Sequence, residues 1–337
     1  MGSEVLRVSV IGAGPMGRLH ARAIERRASQ RGDCELGFIV DRHEARREDV
    51  AREFGGTARD GISAVLADAQ GLAQSGRAAA IVAVPTAAHG EITKALLAGG
   101  VDVLLEKPMT GCLETAARLV EQAKAQARVF AVGHVEWFNP TLHEAWKNVS
   151  DPRDILIERM NPESRRGLDI DVVQDFMLHD LDWLRRSVGS EVESIGATGG
   201  IEGGPGLDVA EARLCFASGV RAQVRASRVH GERCRRIQIE GLHGGEGVRV
   251  DADLLSGEIS IRGEEGAEGI NAEPARPRRA SDETRVDEPL DRQLADFLKA
   301  VRQRSLPAND AQVGLDTLVL VERIRDAIDR ASKATDA

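Results

Sequence analysis

Three side chains in this sequence have the types and positions that proton transfer and charge stabilisation require. Lys107 is the second residue after an apolar segment ending at Leu105, and ligands of open α/β sheets bind at the carboxyl ends of the strands. Asp175 and His179 are four residues apart, which puts a carboxylate and an imidazole on one face of a helix. Such a pair alone is more often a surface ion pair, but apolar residues flank this one. An ammonium group stabilises negative charge on a substrate oxygen, and an imidazole takes up a proton near neutral pH. We therefore predict that all three are catalytic.

A glycine-rich turn near the N-terminus opens the sheet that must position Lys107. Residues 6–11 are predicted to be a strand and residues 18–24 repeat at helical spacing, with Gly12-Ala13-Gly14-Pro15-Met16-Gly17 between them. This is the G-x-G-x-x-G arrangement in its required context. The glycines permit a tight turn and close approach of a pyrophosphate, and the helix N-terminus offers unpaired N–H groups. The alternative is a glycine-rich turn without a ligand. We predict a dinucleotide site formed by Gly12, Gly14, Pro15, Met16 and Gly17.

The choice of dinucleotide depends on the end of the second predicted strand, residues 35–40. A carboxylate at Asp41 would accept hydrogen bonds from the adenosine ribose and repel a 2′-phosphate, so NAD is favoured over NADP. Arg42 weakens this preference, because it could stack on adenine or pair with a 2′-phosphate. Asp41 could also cap the helix predicted over residues 44–54, and the two roles are compatible.

The remaining pattern predicts two kinds of domain. The continuously apolar segment at residues 79–84 is typical of a strand buried on both faces of a parallel sheet; residues 101–105 are the next expected strand and residues 129–132 the last. After Gly133, a helix over residues 171–186 is followed by several strands joined by short turns, which favours antiparallel pairing. We predict an α/β fold: a doubly wound parallel Rossmann sheet in residues 1–133, an α+β domain with an open, mostly antiparallel sheet in residues 134–288, and C-terminal helices in residues 289–337 that pack back on the body. Residues 263–285 are expected to form a mobile loop or exposed hairpin.

Composition limits the partners. A chain of 337 residues is long enough for two domains. The net charge of -9 argues against nucleic acid or an anionic membrane as the main partner. The four cysteines, Cys34, Cys112, Cys215 and Cys234, are too widely spaced for a metal or redox pair, so we expect them to be reduced and mostly buried, with no metal. No apolar run is long enough to span a membrane, and Met1 to Glu4 lead straight into a strand without an export signal, so we expect a cytoplasmic protein.

The ordered set of motifs resembles the glucose-fructose oxidoreductase, inositol dehydrogenase and rhizopine catabolism (Gfo/Idh/MocA) family over nearly the whole chain. The motifs are the glycine turn, Pro85 with His89, Glu106-Lys107-Pro108, Asp175-x-x-x-His179, and the final helices from Pro289 and Asp310. The resemblance implies hydride transfer between a nicotinamide and a sugar or polyol carbon. It assigns Lys107 to the substrate oxygen, His179 as acid/base and Asp175 as the partner of His179. It also implies that Pro85, His89 and Glu106 contact the cofactor, and that the chain forms a homodimer or homotetramer.

Within the family, two segments look most like the branch that oxidises the 3-hydroxyl of UDP-N-acetylglucosamine or its uronic acid. They are residues 133–140 and residues 171–180, although Trp137 stands where that branch usually has arginine. We expect Glu136, Lys107 and His179 to contact the substrate, and Arg165 and Arg166 to bind a diphosphate or else lie in solvent. The predicted function is NAD-dependent oxidation of a secondary sugar hydroxyl, the 3-hydroxyl of a UDP-N-acetylamino sugar. The alternatives are an NADPH-dependent ketosugar reductase and a non-catalytic dinucleotide-binding regulator.

Overall fold

The computed structural model describes residues 5–72, 78–162, 170–203, 206–263 and 288–335. The chain divides into two compact units, each built from two segments. The first unit comprises Met1–Val135 and Val286–Asp316, and the second comprises Glu136–Arg285 and Thr317–Ala337. The segment predicted to be a mobile loop, residues 263–285, lies outside the described residues apart from its first residue, and so do Arg165 and Arg166.

The first unit contains the predicted parallel sheet. Its six strands run in the order β3-β2-β1-β4-β5-β6, all pairs parallel. The strands are β1 (Leu6–Ile11), β2 (Cys34–Val40), β3 (Thr57–Arg59), β4 (Ala78–Val82), β5 (Asp102–Leu105) and β6 (Phe130–Val132). The helices are α1 (Pro15–Arg31), α2 (Glu44–Phe54), α3 (Ser63–Leu72), α4 (His89–Ala98), α5 (Leu113–Ala125) and, later in the chain, α8 (Pro289–Gln303). Strand β4 is buried at every residue, as its apolar sequence predicted, and β5 is buried at every residue as well, including Asp102.

The second unit contains a seven-stranded sheet in the order β13-β12-β11-β7-β10-β9-β8, in which only the β7–β10 pair is parallel. The strands are β7 (Asp151–Met160), β8 (Val192–Gly200), β9 (Val209–Phe216), β10 (Arg221–Ser227), β11 (Cys234–His243), β12 (Glu246–Asp253) and β13 (Glu258–Gly263). Its helices are α6 (Pro140–Lys147) and α7 (Leu178–Val188), and most of α9 (Ala311–Thr335) belongs to this unit as well. Both sheets confirm the predicted fold class.

One face of the second sheet packs on helices and the other is polar. Ile157 and Ile237 are cross-strand partners, and both lie in a core that includes Leu181 of α7 and Ile324 of α9. Because side chains alternate along a strand, the residues on either side of Ile157 in β7 and of Ile237 in β11 point to the opposite face. Arg236 is one of these. The parity of a residue in β7 or β11 therefore decides whether it points to the helices.

Two local features differ from the sequence-based expectation. Helix α6 was not predicted, although Asn139 caps it by accepting from Thr141 N at 3.0 Å and Pro140 occupies its first position. The helix predicted over residues 171–186 is not continuously α-helical, because Val173–Met177 form a π-helical turn before α7 begins. A π-turn holds an extra residue within the helix and is often found at functional sites.

The expectation that the cysteines are mostly buried was wrong. All four are free, but only Cys34 is buried, while Cys112 and Cys215 are exposed and Cys234 is half-buried. Alternation explains Cys215, since its neighbours Leu214 and Phe216 on β9 are the residues that face the core. Burial raises the pKa of the Cys34 thiol to about 11.

Candidate active site

The glycine turn has the geometry that a bound pyrophosphate requires. Gly12 has φ +103°, and a Cβ there would lie 2.4 Å from the carbonyl oxygen of Ala83. A Cβ on Gly17 would lie 1.7 Å from the carbonyl oxygen of Gly12. At Gly14, by contrast, no described atom lies within 4 Å of the Cβ position. Gly14 is the N-cap of α1 and makes no side-chain cap hydrogen bond to the first N–H groups of the helix. Glycine is thus needed at 12 and 17 for packing, whereas the open Cβ position at 14 leaves space beside the turn, and ligand approach there stays a prediction.

Asp41 ties the glycine turn to the start of α2. Its Oδ2 accepts a hydrogen bond from Ala13 N at 2.8 Å, and its Oδ1 accepts from His43 N at 2.8 Å. A carboxylate has further lone pairs, so both oxygens still have acceptor capacity for ribose hydroxyls. Arg42 is exposed. The carboxylate at the end of β2 is therefore held by the backbone next to the proposed phosphate position.

A buried carboxylate fixes the backbone from which Lys107 projects. Glu106 is 8% exposed, and its Oε1 lies 2.7 Å from Nε2 of His20, which is 1% exposed. Its Oε2 accepts from Lys107 N at 3.2 Å. The backbone of Gly133 closes the other side, because a Cβ there would lie 3.0 Å from Glu106 Oε2. Glu106 is thus held by α1, by its neighbour and by the chain after β6, while Lys107 stays partly exposed.

The ionised form of Glu106 is favoured despite burial. Burial acts to raise the pKa of Glu106, but the hydrogen bond and charge of His20 and the charge of Lys107 outweigh it, so the pKa lies below its ordinary value. The Lys107–Pro108 peptide bond is cis.

His89 joins the two loops that follow β4 and β5. The ring is 1% exposed, with Nδ1 2.9 Å from the carbonyl oxygen of Pro108 and Nε2 2.9 Å from that of Val84. Pro85, beside it, is exposed. Both ring nitrogens of His89 thus face the protein backbone, so the ring holds the Lys107 loop against the loop after β4. Contact of His89 with a cofactor stays a prediction.

In the second unit, the segment carrying Asp175 and His179 is anchored at its start. Asp171 Oδ1 accepts from Val173 N and Gln174 N, both at 3.0 Å, and Asp171 Oδ2 lies 2.8 Å from Arg325 Nε on α9. Asp175 lies in the π-turn and His179 in the first turn of α7. Both are partly exposed, whereas most of their neighbours in the segment are buried. The described segment therefore presents these two polar side chains from an otherwise buried stretch.

Directly after His179, the buried Asp180 belongs to a charged network. Arg159 is only 3% exposed; its Nε donates to both Asp180 oxygens at 3.2 and 2.9 Å, and its Nη2 donates to Asp180 Oδ1 at 2.7 Å. The same Nη2 donates to Glu136 Oε1 at 3.0 Å, and Asn139 Nδ2 donates to Glu136 Oε2 at 2.8 Å. Burial acts to raise the pKa of Glu136, but the charge of Arg159 and these hydrogen bonds hold it below its ordinary value. Glu136, predicted to contact substrate, thus has both oxygens engaged by protein donors.

Trp137, the residue that departs from the expected arginine, itself lies against an arginine. The Arg186 guanidinium carbon is 3.5 Å from the centre of a Trp137 ring, and the His143 ring meets the indole edge-on at 5.3 Å. Arg186 Nη1 also donates to Asp182 Oδ2 at 3.3 Å. A cation is therefore present beside position 137, supplied by α7.

Sequence reasoning did not identify His20, Arg159 or Asp180. A signal was present for Arg159, because it has the same parity as Ile155 and Ile157 in β7 and so had to point to the core. His20 lies three residues after Gly17, and Asp180 comes directly after His179, but neither position has a sequence pattern that marks it as part of a site. Among the described residues, no group of three or more His, Cys, Asp and Glu side chains could hold a metal. None of the described helices combines the length and apolar composition needed to cross a bilayer.

Comparison with known proteins identifies both units. Residues 6–134 match the oxidoreductase family with an NAD-binding Rossmann fold, and residues 121–245 match the GFO/IDH/MocA C-terminal domain. The chain is 28% identical over 325 residues to UDP-N-acetylglucosamine 3-dehydrogenase of Acidithiobacillus ferrooxidans, covering 96% of this chain and 97% of that one. It is 27% identical over 261 residues to scyllo-inositol 2-dehydrogenase (NAD(+)) of Bacillus subtilis, covering 70% and 72%.

Solved structures share the fold. The structure of the Acidithiobacillus ferrooxidans enzyme aligns with a TM-score of 0.81 at 26% identity, covering 97% of this chain and 99% of that one. GenD2 from gentamicin A biosynthesis, solved in complex with NAD, aligns with a TM-score of 0.79 at 21% identity, covering 97% and 95%. The chain therefore belongs to the Gfo/Idh/MocA family and is an NAD-dependent oxidoreductase that acts on the CH–OH group of a sugar.

Proposed function

We propose that the enzyme oxidises the 3-hydroxyl of a UDP-N-acetylamino sugar to a ketone. The observation that carries this proposal is the similarity to a UDP-N-acetylglucosamine 3-dehydrogenase, which extends over 96% of the chain. The inositol dehydrogenase similarity covers a smaller share, 70%. The segment around Asp175 and His179 also supports the proposal, because its motif resembles the branch of the family that oxidises the 3-hydroxyl of UDP-N-acetylglucosamine or its uronic acid.

The turn from Gly12 to Gly17 and the Asp41 carboxylate hold NAD in this proposal. The open Cβ position of Gly14 admits the pyrophosphate, and Asp41 accepts from the ribose hydroxyls. When bound, NAD supplies the hydride acceptor for the carbinol carbon. Pro85, His89 and Glu106 shape the cofactor side of the Lys107 loop.

The reaction also requires a base and a fixed cation, which this chain supplies. The imidazole of His179 takes the hydroxyl proton, and Asp175 orients that ring. The proposed role of the Lys107 ammonium is to donate to a substrate oxygen and stabilise the negative charge that develops there during oxidation. The carbinol C–H bond breaks, the C=O bond forms, and the proton remains on His179 until solvent removes it.

A panel of sugars incubated with NAD tests the proposal through the absorbance of NADH. UDP-N-acetylglucosamine and its uronic acid should support NADH formation, whereas myo-inositol and free N-acetylglucosamine should not. Preference for inositol would overturn the assigned substrate class. Much tighter binding of NADPH than of NADH would favour a ketosugar reductase, and cofactor binding without turnover on any sugar would favour a regulator.

A homodimer or homotetramer stays a prediction. Size-exclusion chromatography with light scattering measures the assembly mass directly.

A further inference from the structure

Arg235 is a core-facing cation at the start of β11. Its cross-strand partner is Arg159 on β7, and both have the parity of Ile237 and Ile239, which lie in the hydrophobic core. The two arginines therefore point to the same face of the sheet as the core isoleucines, but they lie beyond the apolar core. Arg159 contacts Asp180, the residue after His179.

The neighbouring carboxylates are already engaged by Arg159. Arg159 makes the hydrogen bonds to Asp180 and to Glu136 Oε1, and Asn139 takes Glu136 Oε2. Among the described residues, the carboxylate oxygen paired with Arg235 is the same Glu136 Oε1, at 3.9 Å from Nη1, beyond hydrogen-bonding distance. Arg235 Nε is buried and has no hydrogen-bond partner among the described residues. The side chain is 29% exposed, so one side remains open.

The surroundings of the two arginines shift their pKa values in opposite directions. Burial lowers the pKa of Arg235, and the charges of Arg159 and Arg233 lower it further against the opposing charge of Glu136. The pKa of Arg159 is instead raised, because Asp180 and Glu136 outweigh its burial. Arginine remains protonated under all working conditions. Arg235 is thus a charged, half-buried fork whose positive charge is incompletely compensated by the protein.

We propose that Arg235 binds an anionic group of the substrate, a phosphate or a carboxylate. This inference rests on the proposed function and names a residue that selects the substrate. A guanidinium binds either anion through two parallel hydrogen bonds, and burial strengthens such contacts. The hydrogen bond from Arg159, the cross-strand partner of Arg235, to Asp180, the residue after His179, connects this anion site to the helix that carries the proposed base.

Binding measurements by isothermal titration calorimetry on the full chain test the proposal. The variants are Arg235→Met and Arg235→Lys, with Arg236→Met as the matched control. Arg236 is the next residue, points to the opposite face, is 67% exposed and lies 3.9 Å from Asp253. The probes are UDP, UDP-N-acetylglucosamine and UDP-N-acetylglucosaminuronic acid.

Arg235→Met should weaken binding of at least one probe by roughly 10- to 100-fold, the effect of losing a charge-assisted hydrogen bond. Arg235→Lys should lose less, and Arg236→Met should stay within about twofold of wild type by the same measure. Weakened binding of all three probes identifies the diphosphate as the bound group. Weakened binding of the uronic acid alone identifies the carboxylate. The Kd for NAD, measured by fluorescence, should not change in any variant.

The outcomes separate this inference from the proposed function. Wild-type-like binding of every probe by Arg235→Met, or equal losses in Arg235→Met and Arg236→Met, overturns the inference alone. Arg235-dependent binding without NADH formation on any UDP-sugar overturns the proposed function alone. No binding of any probe by the wild-type enzyme overturns both.

Discussion

In the first unit, the buried carboxylate of Glu106 immediately precedes Lys107 and meets the imidazole of His20 at 2.7 Å. In the second unit, the buried carboxylate of Asp180 immediately follows His179 and accepts three hydrogen bonds from the guanidinium of Arg159. Lys107 and His179 are therefore each adjacent in sequence to a buried carboxylate that a basic side chain holds in place.

The two arrangements differ in the group that meets the carboxylate: an imidazole in the first, and in the second a guanidinium, which does not titrate in proteins. The first arrangement is small and lies between one helix and one loop. The second joins a strand, a helix and the Glu136 segment, so more of the fold depends on it.

The largest expected effects come from removing the catalytic side chains. Lys107→Ala should lower kcat by about 10²–10³-fold, the loss typical of one oxyanion-stabilising donor, and leave the Kd for NAD unchanged. His179→Asn should lower kcat by roughly 10²–10⁴-fold and remove the acid limb of the pH–rate profile. Steady-state kinetics on the substrate identified by the sugar panel provide the measurement. Lys124→Ala, an exposed lysine on α5, is the control. Unchanged turnover in Lys107→Ala, or an unaltered pH profile in His179→Asn, would contradict the assigned role of that residue.

Arg159→Met should be the most destabilising change in either buried network. It leaves the carboxylates of Asp180 and Glu136 buried without their main cation, which typically costs about 3–5 kcal/mol of unfolding free energy. Urea denaturation monitored by tryptophan fluorescence measures this loss. Arg236→Met breaks only a surface pair and should cost roughly 0–1 kcal/mol. Similar losses in the two variants would show that the buried network does not stabilise the second unit.

Glu106→Gln tests the pH dependence of the first arrangement. Near pH 7 the substitution should lower the unfolding free energy by roughly 1–3 kcal/mol, through loss of a charged hydrogen bond. Because folding lowers the pKa of Glu106, its stabilising contribution is full above the unfolded value of about 4.3 and is lost as pH falls through the lower folded value. The stability gap between wild type and Glu106→Gln should therefore narrow in acid. A gap that is constant with pH would mean that ionised Glu106 is not favoured by its surroundings.

Arg235→Met should have the smallest effect on stability and an unusual sign. Removing a half-buried cation that the protein compensates incompletely should leave the melting temperature unchanged or raise it. A stabilising change that weakens ligand binding is typical of residues kept for function. Differential scanning calorimetry without ligand measures the shift. A clear drop in melting temperature would show that Arg235 is a structural residue of the Arg159 network.

Much of the first unit could be predicted because its signals are local. The Gly12–Gly17 turn, the apolar strands and their alternation with helices each follow from a short stretch of sequence. The second unit was predicted only in outline. Its π-turn at Val173–Met177 holds one additional residue within a helix, and none of the residue types in that turn indicates the insertion.

The buried networks were harder to predict because they join residues distant in the chain. Glu136 reads as an exposed carboxylate until Arg159 is placed opposite it, and that placement needs the strand pairing. Parity with Ile237 was a usable signal for Arg235, since it marks an arginine at a core-facing position. Arg159 is paired with two carboxylates and Arg235 is not, and this difference depends on contacts between residues that are distant in the sequence.

The order of strands in the second sheet also constrains how this unit folds during synthesis. β7 is the central strand, yet its partners β10 and β11 come later in the chain than β8 and β9, which lie at one edge. Such non-local pairings close slowly, because the loop entropy is lost before the contacts form. A nascent chain that ends before Arg221 contains β7 with neither of its partners, and unpaired strand edges template association with other chains. Both edges of β7 are therefore expected to be paired only after β10 and β11 have been synthesised.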